Sequence, residues 1–104
     1  MLKDSIAKAL RIGTASAKAL DSEFERHIRT ARAEMIRSGV SDVLANSSHD
    51  LIEDAIVTFC LMKMGPKEQY EQNKESWEYQ VDCIRKSKKL REQKTEEEGA
   101  NDEE

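Results

Sequence analysis

Between Leu51 and Met64 the chain has ten apolar residues out of fourteen, and Gly65-Pro66 follows at once. Only Glu53, Asp54, Thr58 and Lys63 interrupt the run. Fourteen residues cannot cross a bilayer as a helix, which needs about twenty. They are also too long for an ordinary strand. The spacing predicts a helix that is apolar around most of its circumference. Such a helix must sit at the centre of a domain or be covered by another subunit. Ser47-x-x-Asp50 predicts its start as a capping box, and Gly65-Pro66 predicts a sharp end.

The rest of the chain is arranged around that segment. Leu2, Ile6, Ala9 and Leu10 predict a first helix from Leu2 to about Ile12, stopped by Gly13 in a left-handed conformation. Thr14 to Ala19 are expected to form a polar connection. A second helix is predicted from Asp21 or Ser22 to Ser38, with Leu20, Phe24, Ile28, Ala31 and Met35 on its apolar stripe and Gly39 at its end. Val40 to Ser47 read as a connector in which Val40, Val43 and Leu44 tuck under the helices. Beyond Pro66 a fourth helix runs to about Lys86, with Tyr70, Trp77, Val81 and Ile84 as its stripe. The short break at Gly65-Pro66 favours an antiparallel hairpin of the last two helices.

The expected fold is therefore all-α, a small bundle of about four helices. One domain is expected over residues 1–85 and a charged, disordered tail over 86–104, where Leu90 is the only bulky apolar residue. Five Gly and Pro residues are too few to punctuate a sandwich or barrel.

Candidate chemistry is sparse. His27, His49, Cys60 and Cys83 lie far apart, without the close ligand pairs of a zinc site. Cys60 falls in the apolar run, where a thiol acts as a small hydrophobe. No nucleophile elbow, metalloprotease or phosphate-loop motif is present. The expectation is a protein that is not an enzyme and takes no metal or cofactor. The formal net charge of −4 argues against general nucleic-acid binding. About eight residues separate the second and third helices, too many for a helix-turn-helix.

Association is the positive expectation. Arg26, Arg29, Arg32 and Arg37 give the second helix a basic face, while Glu68, Glu71, Glu75 and Glu78 give the fourth an acidic one. Faces of opposite sign suit head-to-tail contacts, which close into rings. The expected interface residues are Ile52, Ile56, Phe59 and Met62 on the apolar helix, with Arg29, Arg32, Glu71 and Glu75 on the charged faces. Two other readings remain: a small cytosolic adaptor or regulator, dimeric through its apolar helix, and a nucleic-acid-binding module.

The order of elements adds a resemblance. Leu10-Arg11-Ile12 precedes Phe24-x-x-x-Ile28-x-x-Ala31-Arg32-x-x-Met35 and Ser38-Gly39-Val40. Asp50-Leu51-Ile52-x-x-Ala55-Ile56-Val57 and Lys63-Met64-Gly65 follow, then Gln69-Tyr70-x-x-x-Lys74-x-Ser76-Trp77. Over about residues 1–84 this resembles the small head–tail connector proteins of long-tailed bacteriophages and prophages, also called head-completion or DNA-packaging adaptor proteins. The resemblance implies a helical subunit of a ring, commonly twelvefold, at the virion neck. Such a ring docks under the portal protein after packaging, extends the DNA channel without sequence-specific contact, and receives the next neck or tail-completion protein. It also implies assembly in the bacterial host cytoplasm, no membrane partner and no catalytic residues. Cys60-Leu61 stands where the family commonly has aromatic residues.

Overall fold

A computed structural model describes residues 2–87; the expected tail beyond them lies outside the described residues. Six α-helices and one 3-10 turn account for most of these residues, and none of them lies in a strand. The helices are α1 (Leu2–Leu10), α2 (Thr14–Ala19), α3 (Asp21–Arg37), α4 (Asp42–Ala45), α5 (Asp50–Met64) and α6 (Tyr70–Lys86). The all-α expectation holds. The four long segments expected from periodicity correspond to α1, α3, α5 and α6, and the two short helices occupy stretches expected to be connections.

The apolar segment is central. α5 packs against α1, α3 and α6, and α6 gives α5 its largest interface. Ile52, Ala55, Ile56 and Cys60 are fully buried, with Phe59 and Met62 nearly so. Ile6 of α1, Phe24, Ala31 and Met35 of α3, and Trp77, Val81 and Ile84 of α6 complete the core. The Phe59 and Trp77 rings meet at 4.8 Å between centroids with a 59° tilt, which fixes α6 against α5. His27 brings its ring edge towards Phe59 from α3 at 6.5 Å. The Lys63 ammonium lies 5.4 Å above the same Phe59 ring.

Several local expectations change. The left-handed residue after α1 is Arg11, at φ 59°, and Gly13 is extended at φ −80°. Ile12 N–H donates to the Ala7 carbonyl and Arg11 N–H to that of Lys8, the paired bonds of a Schellman cap. Gly13 instead opens α2. The same cap ends α3, where Gly39 does take φ 112°, with Val40 N–H on Met35 and Gly39 N–H on Ile36. A Cβ at Gly39 would also meet the Arg85 Cδ at 2.8 Å, so the end of α3 lies directly under the last turn of α6. Gly65 is extended too. Its requirement is steric, because a Cβ there would sit 2.5 Å from the Leu61 carbonyl oxygen.

The start of α5 also differs. His49 is the N-cap, its Nδ1 accepting from Leu51 N–H at 3.1 Å. Ser47 acts one step earlier, its hydroxyl accepting from His49 N–H. Pro66 opens a 3-10 turn at Lys67–Gln69, and α6 begins only at Tyr70. Tyr70 and Val43, expected inside, are exposed, whereas Ala45 is buried.

A non-glycine residue in the left-handed region costs about 1 kcal/mol, and Arg11 is exposed. Arg11→Gly is expected to raise the stability of the folded chain by up to about 1 kcal/mol, offset in part by the greater freedom of unfolded glycine. Urea unfolding followed by circular dichroism checks the sign; a lower midpoint contradicts this account of the cap.

Candidate interaction surface

The described residues include no group of three or more His, Cys, Asp or Glu side chains placed to hold a metal ion. The two histidines have local structural roles. His27 packs beside Phe59, and its burial, followed by the nearby Arg26 charge, lowers its pKa. His49 caps α5. Cys60 is buried among apolar side chains, and loss of solvent pushes its thiol up to about 12. It is therefore a protonated packing group at neutral pH. Cys83 is exposed on α6.

The structure separates the expected interface residues into two sets. Ile52, Ile56, Phe59 and Met62 are buried within the chain itself. α1, α3 and α6 cover them, and no second chain can reach them without moving those helices. The apolar run is satisfied internally, so the alternative in which another subunit covers α5 is not needed to explain its composition.

The charged residues remain outside, with one qualification. Arg29, Glu71 and Glu75 are exposed. Arg32 is half-buried, and its Nη1 donates to the carbonyl of Ala45 at 2.8 Å and of Ser47 at 3.0 Å. These bonds tie the chain after α4 to the middle of α3. The rest of the Arg32 guanidinium fork stays available. Of the other arginines on α3, Arg37 pairs with Glu34. Arg26 and Arg29 form no ion pair with any described residue.

Arg29 and Arg32 border a shallow groove of about 480 Å³ between α1 and α3. Leu2 and Ile28 contribute its apolar surface, and Lys3 of α1 and Glu25 of α3 also line it. Lys3 is held at 2.9 Å by Asp21 and at 2.8 Å by Glu25. Hydrogen bonds that Lys3 donates to Asp21 and then to Glu25 raise its pKa. That cluster carries one more negative than positive charge, so the positive charge of the groove comes from Arg29 and Arg32.

On α6 the outward face carries Glu71, Glu75, Glu78 and Tyr79 at helical spacing. Tyr79 is 71% exposed, the most exposed large apolar side chain among the described residues. It was absent from the expected interface because it lies off the α6 core stripe among glutamates. An aromatic residue on a charged face was the available signal. Ile36, Val43 and Leu51 are also partly exposed, near the ends of α3, α4 and α5.

Comparison of the chain with protein-family models, with curated proteins and with solved structures found no match. No described helix is long and apolar enough to cross a membrane.

The two arginine-bound carbonyls and the two cysteines each give a test. Arg32→Ala leaves both carbonyls without their charged donor and is expected to cost about 2 kcal/mol in denaturant unfolding. Arg32→Lys should recover only part of this, since an ammonium lacks the fork. In the folded chain, iodoacetamide should modify Cys83 alone, with Cys60 reacting only after unfolding. Mass spectrometry reads this directly; two modified cysteines at native stability would refute the placement of Cys60.

Proposed function

We propose that the protein is a structural subunit of a bacteriophage or prophage neck, assembling head to tail as a ring between portal and tail and extending the DNA channel. It acts by shape and self-association and catalyses nothing. The observation that carries this reading is the placement of charge around α5. α3, with unpaired Arg26 and Arg29, and α6, with exposed Glu71 and Glu75, each pack on α5, so the two faces can be used at once by two different neighbours. The resemblance in helix order over residues 1–84 supplies the biological setting. The internally satisfied α5 is consistent with a subunit that folds before it assembles.

The partners in this reading are further copies of the chain, a portal protein and the next neck or tail-completion protein. DNA passes through the ring without base-specific contacts. The reading as a dimeric adaptor drew its support from an uncovered apolar helix, and Ile52, Ile56, Phe59 and Met62 are covered within one chain. A nucleic-acid-binding role for α5 is opposed by Asp50 and Glu53 in its first turn.

The experiment is negative-stain microscopy of the chain mixed with the portal ring encoded in the same genome. A further ring layer on one end of the portal is expected. Portal particles that stay unchanged across all mixing ratios would overturn the neck assignment.

A further inference from the structure

We propose that the α1–α3 groove is the socket for α6 of a second copy, with Tyr79 seated on Leu2 and Ile28 and with Glu75 and Glu78 facing Arg29 and Arg32. This deepens the head-to-tail reading above and rests on it for its biological meaning. Four observations lead to this pairing. The groove has an apolar surface and is, at about 480 Å³, roomy enough for a phenol ring. Its rim keeps an excess of positive charge, because Arg29 and Arg32 outweigh the surplus carboxylate of the Lys3–Asp21–Glu25 cluster, and Arg29 has no ion-pair partner among the described residues. Tyr79 is 71% exposed and stands beside glutamates one and four residues before it. Finally, the groove is lined by residues of α1 and α3 alone, while Glu75, Glu78 and Tyr79 are exposed on α6 of the same chain.

The chemistry of the two surfaces matches. Arg29 and Arg32 are three residues apart on one helix, and Glu75 and Glu78 are three apart on the other, so each pair forms neighbouring positions on a helix surface. Arginine forks bind carboxylates with two parallel hydrogen bonds. The aromatic anchor between them supplies the apolar contact that surface ion pairs alone lack. Arg32 can contribute while its Nη1 holds Ala45 and Ser47, because its other N–H groups remain. The occupant is a second copy, since the acidic, aromatic face that complements the groove is carried by this chain's own α6, where Tyr79 is exposed and does not line the groove.

The exposed Cys83, one turn after Tyr79, provides a native handle for a nitroxide label, while Cys60 is buried. Full-length chain labelled at Cys83 and carrying no isotope is mixed with unlabelled, ¹⁵N-enriched full-length chain. Broadening of amide signals then reports contact between copies only. The amides of Leu2, Ile28 and Arg29 are expected to lose intensity, and to recover when the nitroxide is reduced. The loss should diminish as salt rises from about 0.05 M to about 0.5 M. It should disappear when the labelled partner carries Tyr79→Ser or the enriched partner carries Arg29→Glu. Both substitutions lie on exposed positions, and circular dichroism spectra and unfolding midpoints matching those of the parent chain confirm that the variants are folded.

Unbroadened groove amides, broadening confined to another face, or equal broadening with both variants would each overturn the proposal. The portal experiment separates this failure from that of the neck assignment. A ring on the portal with a silent groove sinks this contact alone. A broadened groove without a portal complex sinks the neck assignment alone.

Discussion

α5 is apolar on nearly every side, and the chain has to supply enough other helix to keep it out of water. Burial of side chains such as Ile52, Ile56 and Phe59 contributes roughly 1.5–3 kcal/mol each, and no single neighbour could cover all of them. Three helices therefore surround it, each offering one narrow stripe: Ile6 from α1, Phe24, Ala31 and Met35 from α3, and Trp77, Val81 and Ile84 from α6. The Phe59–Trp77 contact orients one side, and His27 reaches Phe59 from another. Because each neighbour spends its apolar stripe on α5, its polar face must point outward. The separation of the arginines of α3 from the glutamates of α6 follows from covering α5.

Much of this architecture is legible in the sequence because periodicity reports burial. The stripe through Phe24, Ala31 and Met35 and the one through Trp77, Val81 and Ile84 are both buried as their spacing predicts. The short elements were not legible. Thr14–Ala19 and Asp42–Ala45 have too few residues to show a period, and their helicity comes from their ends. Ser41 caps α4 through its hydroxyl on Leu44 N–H, and Gly13 provides the extended residue before α2. Glycine was also a poor guide to helix ends. The chain turns left-handed at Arg11, two residues before Gly13, because the packing of Ile12 and Ala7 against the core sets where α1 must stop.

The surface was legible in charge and illegible in depth. Composition distinguishes the arginine face from the glutamate face, so Arg29, Glu71 and Glu75 emerge as exposed. It cannot distinguish an apolar helix wrapped by its own chain from one awaiting another subunit, and for α5 that distinction is made by tertiary contacts. Nor does it distinguish an arginine that waits for a carboxylate from one that holds backbone carbonyls, as Arg32 does for Ala45 and Ser47. Tyr79 illustrates the converse: seen only against the core stripe of α6 it is an irregularity, and seen against the glutamates around it, it marks a surface.

Gly39 and Arg85 are coupled in one direction. Gly39 is required twice, once by its φ of 112° and once by the Arg85 side chain 2.8 Å from where a Cβ would stand. Arg85 is itself steadied by Asp82, which also pairs with Lys86 at 3.2 Å. Shortening residue 85 would relieve the contact and leave the backbone strain, so residue 85 can change alone whereas Gly39 cannot. Among sequences sharing this fold, a glycine at 39 should persist even where 85 varies, and a departure from glycine should be accompanied by a shorter or redirected side chain at 85.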